Sequence, residues 1–125
     1  MNLLADYFAK GIFIDSLDRL TIRSVKLYAD GALGSRGAWL LKEYSDAPGK
    51  FGHNVRDMEV LDKLTREATE AGFQVCTHAI GDRGNREVLD MYARAFKTFP
   101  EKKINSRFRI EHAQHISKQD LIRFK

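Results

Sequence analysis

From Thr21 onward the chain alternates between stretches with a strand-like period and stretches with a helical one. Thr21 to Asp30 reads as a strand whose apolar members are Ile22, Val25, Leu27 and Ala29. A helix is expected from about Arg56 to Ala71. There Met58, Leu61, Leu64, Ala68 and Ala71 recur at three- and four-residue spacing, and Gly72 sits where a C-terminal cap belongs. Phe73 to His78 is the second strand, and Asn85 to Phe96 the second helix, stopped by Pro100. Arg107 to His112 is the third strand. Ser117-Lys118-Gln119-Asp120 has the capping-box spacing and predicts the start of a third helix. Strands and helices in this order make a parallel sheet with right-handed crossovers.

Three parallel strands alone would leave both sheet edges open and one face bare, whereas parallel sheets normally have both faces covered. A closed eight-stranded α/β barrel takes roughly 250 residues, and this chain has 125. The expectation is therefore an α/β chain that forms part of a (β/α)8 TIM-type barrel, with residues 1–125 as one piece of that domain. Ahead of the first strand, Leu3-Leu4 to Phe8 is a short amphipathic stretch broken by Gly11. After it, Gly31, Gly34 and Gly37 punctuate a turn, and Ala38 to His53 reads as a long loop of the functional kind.

Composition excludes several classes. The net charge is +4, but the basic residues form no block with interleaved aromatics, so no nucleic-acid partner is expected. No apolar run approaches the ~20 residues of a membrane span, and the first residues lack the order of a signal peptide. Cys76 is the only cysteine, so no intrachain disulfide can form. Together these features set the expectation of a cytoplasmic protein.

The chemistry concentrates at strand ends. His78 and His112 close the second and third strands, and histidines at the C-terminal ends of neighbouring parallel strands can converge on one metal ion. Alternation puts Gln74, Cys76 and His78 on one face, with Phe73, Val75 and Thr77 on the helix side. In the first strand it groups Lys26, Tyr28 and Asp30 opposite Val25, Leu27 and Ala29. A lysine facing a barrel interior is costly unless its charge is paired or removed. It can pair with Asp30 or another carboxylate, or its neutral amine can take up CO2 as a carbamate whose oxygens bind metal. The third strand is less regular: with His112 inward, alternation sends Arg109 and Glu111 toward the helices, unless the strand bends near its end. His115 and His53 read as loop residues, and Cys76 as a packed thiol with no activating surroundings. The glycines match no phosphate-binding pattern.

The segment Val25-Lys26-Leu27-Tyr28-Ala29-Asp30-Gly31-Ala32-Leu33-Gly34-Ser35-Arg36-Gly37-Ala38 resembles a signature of the amidohydrolase superfamily, in the branch called amidohydrolase family 3, the YtcJ-like metal-dependent hydrolases. His78-Ala79-Ile80-Gly81-Asp82 and Arg109-Ile110-Glu111-His112-Ala113-Gln114 are similar to that branch in the same order. The resemblance implies that the three strands are the fourth to sixth of a (β/α)8 barrel. It implies Lys26 as a carboxylated metal-bridging lysine, with His78 and His112 as metal ligands. The implied cofactor is one or two divalent ions, zinc or a similar metal, and the implied reaction is hydrolysis of an amide or related C–N bond in a small molecule. Arg36 and Trp39, in the loop, are candidates for substrate contact.

The departures are equally specific. The superfamily takes two further ligands from a His-x-His pair on the first strand and its general base from an aspartate on the eighth. No His-x-His occurs here, and the expected base lies outside the chain. The chain on its own is thus expected to be inactive and to require the remainder of the barrel. The competing reading is a non-catalytic remnant or a module that folds only with a partner.

Overall fold

The computed structural model describes residues 3–124. A first helix, α1 (Leu3–Lys10), ends at Gly11 and is followed by a short antiparallel pair, β1 (Phe13–Ile14) and β2 (Thr21–Ile22). Then come β3 (Ser24–Tyr28), α2 (Met58–Glu70), β4 (Gln74–Ala79), α3 (Asp82–Thr98) and β5 (Arg109–His112). Single 3-10 turns occupy Pro100–Lys102 and Leu121–Phe124. No helix among the described residues is long and apolar enough to cross a membrane. Strands β3, β4 and β5 form one parallel sheet in that order. The expected βαβαβ order is thus present, with a parallel sheet at its centre.

Local chemistry explains the helix limits. Asp57 caps α2, its carboxylate accepting from the Glu59 N–H at 2.8 Å. At the other end Gly72 adopts φ +79°. The Phe73 N–H then reaches the Ala68 carbonyl at 2.8 Å, and the Gly72 N–H that of Thr69 at 3.0 Å. That is the Schellman pattern, which satisfies the last carbonyls. Both helices pack on the same face of the sheet and against each other. The core between them holds Val25, Leu27, Leu61, Val75, Val88, Met91 and Tyr92.

Three expectations are corrected. The stretch Thr21 to Asp30 is not one strand. It breaks at Arg23, whose carbonyl accepts from the Gln74 N–H, so β2 pairs with β1 while β3 joins the main sheet. Helix α3 begins three residues before Asn85, because its first amides find acceptors far away in sequence: the Arg83 and Gly84 N–H groups both donate to the Trp39 carbonyl at 3.1 Å. No α-helix follows Ser117 among the described residues. The Ser117 hydroxyl donates to Asp120 at 2.7 Å, and that carboxylate is also gripped by Arg86 and Arg123. A capping box needs the same side chain to reach back to the Ser117 amide; here it is committed elsewhere, and a 3-10 turn results.

Candidate functional site

Register places the polar side chains. Lys26 pairs with Cys76, and Cys76 with Arg109; one step further, Tyr28 pairs with His78, and His78 with Glu111. Neighbours at one register point to the same side of a sheet. These six residues therefore share the face opposite the helices, and they form two cross-strand rows. Val25, Leu27, Val75 and Thr77 occupy the helix face, as alternation requires.

Arg109 and Glu111 do not turn toward the helices. They lie on the open face and pair with each other, Nη2 to Oε1, at 2.8 Å. The guanidinium holds the Glu111 carboxyl below its usual range. His112 escapes the parity problem because the strand bends. His112 has φ +72° and Ala113 φ +41°, values an L-residue seldom adopts. The twist swings the His112 ring back against His78, with centroids 4.6 Å apart in an edge-on arrangement.

The His78 ring is largely buried and lies 5.4 Å from that of Tyr28. Its Nε2 has no hydrogen-bond partner, the nearest carboxylate oxygen, Asp30 Oδ1, being 3.7 Å away. Burial pushes the His78 imidazole down from its usual range, helped by the charge of His112 and, more weakly, of Lys26, while Asp30 pulls the other way. The ammonium of Lys26 rests 4.1 Å above the Tyr28 ring. Lys26, Tyr28, His78 and His112 thus form a continuous run of contacts across the C-terminal half of the sheet.

Asp30 departs from the sequence expectation. It does not share the open face with Lys26. The backbone leaves the strand after Tyr28, and the Asp30 side chain is buried, accepting hydrogen bonds from the Trp39, Ile80 and Gly81 amides. Its oxygens are committed there rather than to Lys26. Sequence reading missed this role because the partners lie up to 51 positions away.

The loop residues are engaged locally. Arg36 forms a two-point pair with Asp46, at 2.9 and 3.3 Å. The Trp39 ring lies beneath the Arg83 guanidinium at 4.4 Å, and its main chain is tied to Asp30 and to the start of α3. His53 is exposed in the loop. His115 contributes its main chain, its N–H donating to the Ile80 carbonyl at 2.9 Å. Cys76 is buried, and burial pushes its thiol up, away from a reactive thiolate.

Fold and rim together define a βαβαβ segment of an α/β protein, with imidazoles gathered at the carboxyl ends of adjacent parallel strands. The chain belongs to the amidohydrolase family, whose pattern it matches over residues 6–125. It is 42% identical over 105 residues to the protein LONG AFTER FAR-RED 3 of Arabidopsis thaliana, covering 84% of this chain and 18% of that protein. It is 44% identical over 92 residues to the putative amidohydrolase YtcJ of Bacillus subtilis (strain 168), covering 73% of this chain and 16% of that protein. The chain therefore spans less than a fifth of the length of these two relatives. An uncharacterized metal-dependent hydrolase from Pyrococcus horikoshii OT3 superposes with a TM-score of 0.79 at 37% identity, over 97% of this chain and 23% of its own. A second, from Pyrococcus furiosus, gives 0.81 at 32% identity, over 98% of this chain and 24% of its own.

Proposed function

We propose that this chain supplies part of the metal-binding rim of a metal-dependent amidohydrolase, with Lys26, His78 and His112 as ligands. The observation that carries the reading is His78. Its Nε2 is buried without a partner, and a second imidazole stands against it. An unsatisfied buried polar atom costs about 1–3 kcal/mol. A bound divalent cation would take up that lone pair, and a neutral imidazole is the common metal ligand. The downward shift of His78, caused first by burial, favours the neutral form of the ring.

Among the described residues no three His, Cys, Asp or Glu side chains cluster closely enough to hold a metal on their own. In this reading Lys26 provides the third donor, from the same sheet face. Its neutral amine adds to CO2, releasing a proton, and the resulting carbamate offers two oxygens. Zinc or a similar divalent ion, when bound, lowers the pKa of a coordinated water to about 7 and polarises a scissile carbonyl. The chain's residues hold and orient: His78 and His112 offer nitrogens from adjacent strand ends, while the Arg109–Glu111 pair keeps the neighbouring positions of the face internally neutral.

In the same reading β3, β4 and β5 are the fourth to sixth strands of a (β/α)8 barrel. The rest of the barrel, and the aspartate base implied by the family resemblance, belong to the remainder of the enzyme. The substrate is a small molecule with an amide or related non-peptide C–N bond. Arg36 and Trp39 border its approach, and Arg36 must leave Asp46 to touch it.

Substitution tests this directly. In the full-length enzyme, His78→Ala or His112→Ala is expected to lower bound metal and hydrolysis together. Full metal occupancy in either variant overturns the ligand assignment. Intact mass should show one CO2 on Lys26, lost on acidification.

A further inference from the structure

The peptides that follow His78 are held from two sides by side chains distant in sequence. On one side stands Asp30, 2% exposed. Its Oδ2 accepts from the Trp39 N–H and the Gly81 N–H, each at 2.8 Å, and its Oδ1 from the Ile80 N–H at 2.9 Å. Hydrogen bonds to an ionised carboxylate are roughly twice as strong as neutral ones, and the N-terminus of α3 adds a favourable dipole. On the other side the fully buried Asn85 amide donates to the Gly81 carbonyl at 2.9 Å and to the Ala79 and His115 carbonyls at 3.3 Å. The His115 N–H closes the circuit on the Ile80 carbonyl. The chain just beyond His78 and the chain just beyond His112 are therefore locked together, and the one charged member of the lock is Asp30. Gly84 makes room for it: a Cβ at that position would fall 2.6 Å from Asp30 Oδ2.

We propose that Asp30 is a positioning residue, whose buried carboxylate gathers the Trp39, Ile80 and Gly81 amides so that the His78 imidazole is presented to His112 at the rim. The consequence for metal binding rests on reading those histidines as ligands; the geometric role does not. Asp30→Asn is nearly isosteric, but its NH2 group cannot accept from the amides that one carboxylate oxygen serves. Gly84→Ala disturbs the same carboxylate while leaving its charge in place.

Two readouts test the role in the purified full-length protein. In the metal-free protein, the nuclear Overhauser contact between the His78 and His112 ring protons is expected in the wild type and lost in both variants. In titrations of metal-stripped protein with cobalt(II), followed by its visible absorption, both variants are expected to bind about tenfold or more weakly. Leu61→Ala, which loosens the core on the helix side, should lower the melting temperature yet keep both the ring contact and the cobalt affinity. Asp30→Asn with an unchanged ring contact overturns the proposal. So does Leu61→Ala losing that contact as completely as Asp30→Asn does. A wild type that takes up no cobalt sinks the ligand reading instead, and the ring contact still decides the role of Asp30.

Discussion

The two faces of the β3–β4–β5 sheet are made from alternate residues of the same strands, yet they are built on opposite rules. The helix face carries Val25, Leu27, Val75, Thr77 and Ala79, all buried, under α2 and α3. The other face carries Lys26, Tyr28, His78, Arg109 and Glu111, side chains rich in charge and hydrogen-bonding capacity, with Tyr28 51% exposed. Burial of apolar area drives folding at about 25 cal/mol per Å², so stability is drawn from the first face. The second contributes little apolar burial and keeps its polar groups available. A period of two thus lets these five strand positions hold the fold while their neighbours are free for chemistry.

The sharpest way to break that division is to remove packing on one face and charge on the other. Leu61, 2% exposed, sits in the core beneath the helices. Leu61→Ala is expected to cost about 2–5 kcal/mol, the usual range for a buried leucine. Lys26→Ala removes an exposed side chain resting on the Tyr28 ring, worth about 1 kcal/mol or less. Urea denaturation of the two variants measures the contrast. Equal losses would mean that the open face also carries the fold.

A smaller effect tests a polar bridge through the apolar face. The Tyr92 hydroxyl, from α3, lies 2.7 Å from Thr77 Oγ1 and 2.9 Å from the Arg109 carbonyl, tying β4 to β5. Burial pushes this phenol well above its usual range, so it stays neutral. Tyr92→Phe keeps the ring packing against Phe108 but strands the Thr77 hydroxyl in the core. The expected loss is about 1–3 kcal/mol, read by thermal unfolding. A neutral substitution would show that Thr77 finds another partner.

What the sequence revealed follows the reach of its signals. Helix α2 was legible because its apolar stripe and Gly72 lie within one short window. The start of α3 was not, since its first amides depend on the Trp39 carbonyl. Alternation located Lys26, Cys76 and His78 on one face, and register then brought them into line. His112 stayed ambiguous because its position turns on positive φ angles at His112 and Ala113, which no local propensity foretells for these residues. Asp30 looked like a strand residue; tertiary contacts drew it out of the strand and under the rim. The Phe13–Ile14 and Thr21–Ile22 pair was too short to register as a period at all.

The smallest expected effect belongs to the Arg109–Glu111 pair, and it probes whether the open face stays wet. The Arg109 guanidinium lowers the Glu111 carboxyl below its usual range. A carboxyl lowered in the native state adds stability above its unfolded value, about 4.3. That contribution fades as pH falls through the lower native value. The difference in midpoint between wild type and Glu111→Gln should therefore be present at pH 7 and vanish in acid. Because both side chains are substantially exposed, it should be slight at pH 7 and shrink further with added salt. Thermal unfolding across pH and salt checks both trends. A loss at pH 7 rivalling that of Tyr92→Phe, and indifferent to salt, would mean that the pair is desolvated. The open face would then be covered by further polypeptide, as the barrel reading expects of the full-length protein, and the contrast between the faces would be one of chemistry alone, no longer of exposure.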